Sequence, residues 1–203
     1  VRILDLFCCA GGGATGYRRA FPDAVIVGVD IVPQPRYPYT FVQGDALTFP
    51  LDGFDLIHAS PPCQAYSSST APFRNAGREY PDLLEETRQR LLGCGTPWVI
   101  ENVPGSPMRT DLMLCGSMFG LRVRRHRHFE FWCGPQPTGL RCDHKSQGQV
   151  VIPTGRNRAG LNSSLVIRTA MDMPWANRHE ARQAIPPAYT AYIGQLLTAR
   201  GLL

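Results

Sequence analysis

The sequence almost lacks lysine. Lys145 is the single lysine among 21 basic residues in a chain of 203, so the formal net charge of +5 at neutral pH is carried by arginine. Arginine offers a planar fork of donors that fits phosphates and base edges, so the bias points either to a nucleic-acid partner or to a GC-rich genome, in which arginine codons abound. Long apolar runs are also missing. Hydrophobic residues make up 43% of the chain, yet no run approaches the roughly 18 to 20 residues that a membrane span requires. No membrane association is expected. The opening "VRILDLF" carries no charged leader, apolar stretch or cleavage site of a secretory signal, so export is not expected either.

A regular cysteine framework is absent as well. Cys8, Cys9, Cys63, Cys94, Cys115, Cys133 and Cys142 are odd in number and scattered, unlike the dense spacing of small disulfide-linked secreted domains. Free thiols in a reducing cytoplasm follow. A chain of this length buries an adequate core as one domain without crosslinks. No internal repeat is visible.

Short aliphatic runs are present in quantity. "RILDLF", "AVIVGVD", "FDLIHAS" and "PWVIENV" each end in polar or glycine-rich breaks, as buried strands of a parallel sheet do. Between the last two, "PDLLEETRQRLLGCG" places Leu83, Leu84, Thr87, Leu91 and Leu92 on one helical face, with Gly93 or Gly95 as the stop. This alternation predicts an α/β fold, a doubly wound and mostly parallel sheet with its chemistry in the loops at the carboxyl ends of the strands. Residues 133–168, rich in Gly, Pro, Asn and Arg and without helical period, read as an appendage to the sheet. The closing "PPAYTAYIGQLLTAR" reads as a helix returning to it. The expected division is a core at 1–132, an insert at 133–168 and a return segment at 169–203.

After the first strand, "CCAGGGATGYRRAF" places Gly11, Gly13 and Gly16 in G-x-G-x-x-G spacing ahead of a helix, and Asp30 closes the next strand. Bare backbone and a ribose-binding carboxylate suit a dinucleotide, and they suit S-adenosylmethionine equally. The loop alone does not choose between them. Asp45, in "VQGDALTF", is placed to accept from an adenine amino group, or is an ordinary turn aspartate.

The oddest stretch is "FDLIHASPPCQAYSSS". Cys63 follows a strand in the loop where a doubly wound enzyme keeps its reactive groups, and Pro61 and Pro62 stiffen its presentation. Packing is the ordinary fate of a cysteine, but it does not account for the company this one keeps. Together with "DLFCCAGGG", "ENV" at 101–103, "RRHRHF" and "QAIPPAY", the segment "SPPCQAYS" resembles the cytosine-carbon-5 DNA methyltransferases. The five motifs stand in that family's order, over nearly the whole chain outside 133–168.

The resemblance implies transfer of a methyl group from S-adenosylmethionine, with S-adenosylhomocysteine as product, to carbon 5 of a cytosine flipped out of double-stranded DNA. Cys63 would be the nucleophile and Glu101 the partner of ring nitrogen 3 and the exocyclic amine. Arg127 would hold the base carbonyl, with Arg125 supporting the loop or a phosphate. Phe7, Gly11, Gly13, Asp30, Asp45 and Pro62 would line the cofactor site. Gln64 and Ser67, together with Arg141, Lys145, Arg156 and Arg158 of the insert, would contact DNA. A monomer of viral or bacterial type, with no obligate protein partner, is the matching expectation.

Three positions depart from the family pattern. Cys9 stands where glycine is usual, Val123 where glutamine is, and Ala184 where asparagine is common. None is a reacting group. The competing readings are a relative that methylates RNA with the same catalytic set, and a nicotinamide oxidoreductase, which leaves Cys63, Glu101 and the arginines unexplained. His126, His128, Cys133, Cys142 and His144 invite a zinc site, but their spacing matches no standard paired-ligand pattern, and no metal is expected.

Overall fold

The computed structural model describes residues 1–153 and 163–203. Strands β1 (Arg2–Leu6), β2 (Val25–Asp30), β3 (Thr40–Gln43), β4 (Leu56–Ala59), β5 (Trp98–Asn102), β6 (Leu112–Leu114) and β7 (Arg127–Phe131) form one seven-stranded sheet in the order β3-β2-β1-β4-β5-β7-β6. The first five run parallel, and β7 is antiparallel to both β5 and β6. The helices are α1 (Gly12–Ala20), α2 (Ala71–Asn75), α3 (Leu84–Leu92), α4 (Ser164–Ala170), α5 (Arg178–Gln183) and α6 (Pro187–Ala199). The doubly wound α/β class is therefore as expected, with the four aliphatic runs as β1, β2, β4 and β5. Among the described residues no helix is long and apolar enough to cross a membrane.

Every residue of β4 and β5 is buried, because the sheet is covered on both faces. Side chains of adjacent residues go to opposite sides. Ile3, Leu56 and Val99 join Tyr17, Tyr189 and Ile193 of α1 and α6, while Leu4, Ile57 and Ile100 join Leu84 and Leu91 of α3. The α3 face departs from the sequence pattern at one end. Leu84, Thr87 and Leu91 are buried, but Leu92 is 59% exposed. At 100° per residue the fourth place on the buried arc falls to Arg88, which reaches Glu130 on β7 at 2.9 Å.

Helices α1 and α6 meet at nearly bare backbone. A Cβ on Gly16 would lie 2.0 Å from Thr190 Oγ1, and one on Gly194 2.5 Å from Ala20 Cβ. Gly16 is thus required for helix packing. Strand β1 neighbours both β2 and β4, so the chain reverses its direction of winding there. The crevice at such a switch point lies outside the carboxyl ends of β1 and β4. The loop 7–11 and the loop of Cys63 flank that crevice. The sequence boundary between insert and return segment, at residue 168, runs through α4. That helix packs Ile167 and Ala170 with Ala10, Val123 and Val151.

Candidate active site

The first loop leaves β1 with Phe7 at φ 56° and Cys9 at φ 43°, followed by Gly11 at φ 76°. A left-handed conformation costs a non-glycine residue roughly 1–2 kcal/mol, which gives a physical reason for the glycine usual at position 9. The Cys9 N–H donates to Asp30 Oδ2 at 3.0 Å, and the Val32 N–H to Oδ1 at 3.0 Å. Asp30 thus ties the loop to the end of β2 and keeps acceptor capacity on both oxygens. Trp175 Nε1 donates to Ala10 O at 2.8 Å and pins the loop from the other side. Gly13 lies in the core, 3.5 Å being the distance from an added Cβ to His58 Nε2. Gly12 is the tight neighbour, since its Cβ would meet Ile185 O at 2.2 Å. Asp45 is exposed and closes its own turn through Leu47 N at 2.9 Å.

Pro61 O accepts from Asn102 Nδ2 at 3.1 Å, so the asparagine of "ENV" fixes the proline pair that leads to Cys63. Beyond the cysteine, Arg74 Nη1 donates to Gln64 O and Ser67 O, both at 2.8 Å, and gathers the loop into one turn. Neither role was visible in the sequence. Both are backbone contacts made by side chains whose type alone signals nothing. Gln64 keeps its side-chain oxygen buried with no partner among the described residues, and Ser67 Oγ pairs with Ser69 Oγ at 2.8 Å.

Glu101 ends β5, and Arg127 begins β7. Because β7 is antiparallel to β5, with Glu101 opposite Phe129, the start of one strand reaches the end of the other. Arg127 Nε meets Glu101 Oε1 at 2.7 Å, with side chains only 9% and 8% exposed. Arg125 is buried and donates through Nη2 to Arg182 O at 3.1 Å and Gln183 O at 3.0 Å, while Tyr189 Oη donates to Arg125 O at 2.5 Å. The closing motif therefore supports the arginine motif directly. Burial and neighbouring Arg127 push the Arg125 guanidinium below the usual arginine range. Burial pushes the Cys63 thiol up and the Glu101 carboxylate adds to this, while Arg127 and Arg125 pull it back. The thiol of the free protein is therefore protonated at neutral pH.

Asp5 was not singled out in the sequence. It is buried on β1, accepts from Tyr37 Oη at 3.2 Å, and is pushed up to about 8, chiefly by burial, with Asp30 and Glu101 raising it further. A carboxyl raised in the folded state binds a proton that the unfolded chain has released, so its contribution is full below the ordinary carboxylate range and is lost as pH rises to about 8. The neighbouring His58, held between Tyr17 Oη and Ser60 Oγ at 3.1 Å each, is pushed by burial from 6.5 to about 3 and acts oppositely only below 6.5. Between these limits Asp5 dominates the pair. Stability should fall there by up to about 1.4 kcal/mol per pH unit, and Asp5→Asn should flatten the slope. Thermal unfolding midpoints across that window test this, and parallel profiles for the two proteins would refute it.

Two of the four remaining cations expected at the site are described. Arg141 and Lys145 are exposed in the insert, and Arg156 and Arg158 fall outside the described residues. Arg168, in the same insert, is drawn inward: Nη1 donates to Pro174 O at 3.2 Å and Nε is buried. Its Nη1 is thus engaged by the backbone of residues 174 and 176. Among the zinc candidates, His128 Nδ1 pairs with Thr110 Oγ1 at 3.0 Å, and Cys133 is exposed and accepts from Gln136 Nε2. His126, Cys142 and His144 instead converge with Cys115.

No protein-family model matches the sequence, and no curated protein matches it. Solved structures do share its architecture. The Entamoeba histolytica methyltransferase EhMeth superposes with a TM-score of 0.60 over 98% of each chain at 11% identity. An RNA methyltransferase from Salinibacter ruber, solved with S-adenosyl-L-homocysteine, gives a TM-score of 0.42 over 70% of this chain and 86% of that one, at 15% identity. The first likeness extends over nearly the whole of both chains and is a likeness of fold.

Proposed function

We propose that the protein transfers a methyl group from S-adenosylmethionine to carbon 5 of cytosine in double-stranded DNA through a covalent adduct on Cys63. The observation that carries this reading is the gathering of Cys63 with the buried Glu101–Arg127 ion pair, three side chains from separate segments at the carboxyl end of β4 and β5. The cofactor fits the first loop. Its ribose would meet the spare acceptor capacity of Asp30, its adenine Phe7 and Asp45, and its methionine end the backbone around Gly11 and Gly13, with Pro62 between cofactor and base. When bound, it supplies the methyl group as a sulfonium and departs as S-adenosylhomocysteine.

The chain's own residues then divide the work. Carbon 5 of cytosine is a weak nucleophile until a thiolate adds at carbon 6. Cys63 passes its proton to water and forms the sulfur–carbon bond, and the electron pair moves through the ring to carbon 5. Glu101 hydrogen-bonds nitrogen 3 and the exocyclic amine where negative charge develops, and Arg127 takes the ring carbonyl. After methylation a base, water in this reading, removes the hydrogen from carbon 5. The ring double bond re-forms and expels the Cys63 thiolate, which takes a proton back from water, so Cys63 ends as it began and one proton is released to solvent. For Arg127 to reach the base it must loosen its hold on Glu101, so substrate replaces the ion pair.

With Arg168 turned inward, the insert keeps Arg141, Lys145, Arg156 and Arg158 as its main cations, and phosphates will occupy several of them. Each bidentate contact discriminates by roughly 1–3 kcal/mol, so one or two fix a context of about two to four base pairs, with guanine favoured beside the cytosine. Bisulfite mapping after incubation with random-sequence duplex DNA should show dense methylation in such a context. A strict site of about six or more base pairs would refute this estimate. Methyl incorporation into tRNA but not duplex DNA would overturn the choice of substrate.

A further inference from the structure

We propose that Cys115, His126, Cys142 and His144 form a structural zinc site that fastens the insert to the arginine motif. Their four ligand atoms all lie within 4.8 Å of one another. With Zn–S of about 2.3 Å and Zn–N of about 2.0 Å, a tetrahedral site has S···N edges of about 3.5 Å. The two cysteine–histidine pairs measure 3.3 Å, from Cys115 Sγ to His144 Nε2, and 3.5 Å, from Cys142 Sγ to His126 Nε2. The histidine rings stand edge to face with centroids 5.0 Å apart, a separation that turns two nitrogens toward one centre without stacking.

The donor set selects the metal. Two thiolates and two imidazoles, with no carboxylate, favour zinc over magnesium or calcium, whose ligands are oxygens. Four protein ligands fill a tetrahedron and leave no position for water, so the site is structural and takes no part in a reaction. The ligand spacing explains why the sequence concealed it. Cys115 follows β6, His126 sits between Arg125 and Arg127, and Cys142 and His144 lie in the insert, so one member of the set comes from a part of the chain that no paired-cysteine pattern would join to the rest.

The surroundings agree with a fastening role. Arg124 Nη2 donates to His144 O at 2.7 Å and Arg122 Nε to Gln149 O at 3.2 Å, so the same two segments are already laced together on either side of the cluster. Helices and strands are nearly lacking between residues 132 and 153, where an isolated bridge from Val151 to Val123 is the one ladder contact described. A segment with so little backbone pairing gains its order from crosslinks. A metal here would hold Arg141 and Lys145 in fixed relation to Arg127, and so couple the DNA-reading surface to the base pocket. The metal assignment itself does not depend on the methyl-transfer reading.

Elemental analysis of the full chain, purified under reducing conditions without chelators, should give one zinc per molecule. Cys142→Ser and His144→Ala should each remove it, whereas Cys133→Ser, which alters an exposed thiol outside the cluster, should leave it in place. Replacement by Co(II) in the unaltered protein should produce the intense visible absorption of a tetrahedral site with thiolate ligands, a readout that survives even where a variant fails to fold. Absence of bound zinc together with no such spectrum after Co(II) addition would overturn the proposal. So would a Cys115–Cys142 disulfide in the freshly purified protein, or loss of metal from Cys133→Ser equal to that from Cys142→Ser. Retention of methyl transfer by a folded, metal-free Cys142→Ser protein at the unaltered rate and site preference would overturn the coupling of insert to pocket while leaving the metal site intact.

Discussion

Cys63→Ala is expected to abolish methyl transfer to duplex DNA, by at least about 10⁴-fold, because without a sulfur to add at carbon 6 the ring never becomes nucleophilic at carbon 5. The fold should tolerate the change. Cys63 is half-buried, and what it gives the loop is its carbonyl, which accepts from Tyr66 N at 3.0 Å and Ser67 N at 2.9 Å and remains in the alanine variant. Binding of S-adenosylmethionine should be little altered, since the thiol acts on the base. The companion measurement uses duplex DNA containing 5-fluorocytosine. Fluorine cannot leave as a proton does, so the unaltered protein should stay covalently attached and Cys63→Ala should not. Near-normal turnover by the variant, or failure of the active protein to be trapped at its own site, would end the covalent mechanism.

Glu101→Gln should divide the properties of the site in a way that only a transition-state role explains. Turnover should fall by about 10²–10³-fold, the scale of losing one group aimed at developing charge, while affinity for duplex DNA changes far less. Comparable losses in both would instead mark Glu101 as structural. Its amide still offers an oxygen to Arg127 Nε, so the stability cost should stay near 1–3 kcal/mol. The free protein supplies an opposite sign. Glu101 raises the Cys63 thiol and Arg127 lowers it, so neutralising the glutamate should make Cys63 more readily alkylated by iodoacetamide at neutral pH, even as catalysis collapses. Peptide mass spectrometry distinguishes Cys63 from the other thiols, and slower alkylation in the variant would contradict the electrostatic account.

The candidate site was legible in the sequence where a residue type would serve chemistry and hidden where a residue serves geometry. Cys63, Glu101 and Arg127 were legible because a stiffened cysteine, a strand-end glutamate and a paired-arginine segment recur in a known order. Asn102 and Arg74, which set the position of Cys63, were not, since each grips a carbonyl that any residue could have supplied. The first four buried strands were plain because all-aliphatic runs allow little else. The runs "LML" and "RHFEF" were too short or too polar to declare themselves, and they became β6 and β7 through pairing at the sheet edge and the partners of Glu130. The G-x-G-x-x-G spacing was legible but its meaning differed by position: Gly11 serves a turn and Gly16 a helix contact, while Gly12, outside the pattern, also meets backbone closely. Cys115 carried no signal, because its companions are brought to it by the fold.

The pairing of α1 with α6 has a consequence for how the molecule matures. The two helices touch through Gly16 and Gly194, and Thr190 Oγ1 donates to Gly13 O at 2.7 Å. Residues 12–20 therefore wait for residues 187–199, and contacts of such long sequence separation form slowly. On the ribosome β1 and its glycine turn emerge well before α6, the helix that packs against α1. In that interval the apolar flank of the nascent sheet stands open and prone to misassembly. The loop at the carboxyl end of β1 is consequently backed only once α6 has been made, and a nascent chain arrested before residue 187 would possess Cys63 without the helix that holds α1 and its glycine turn in place.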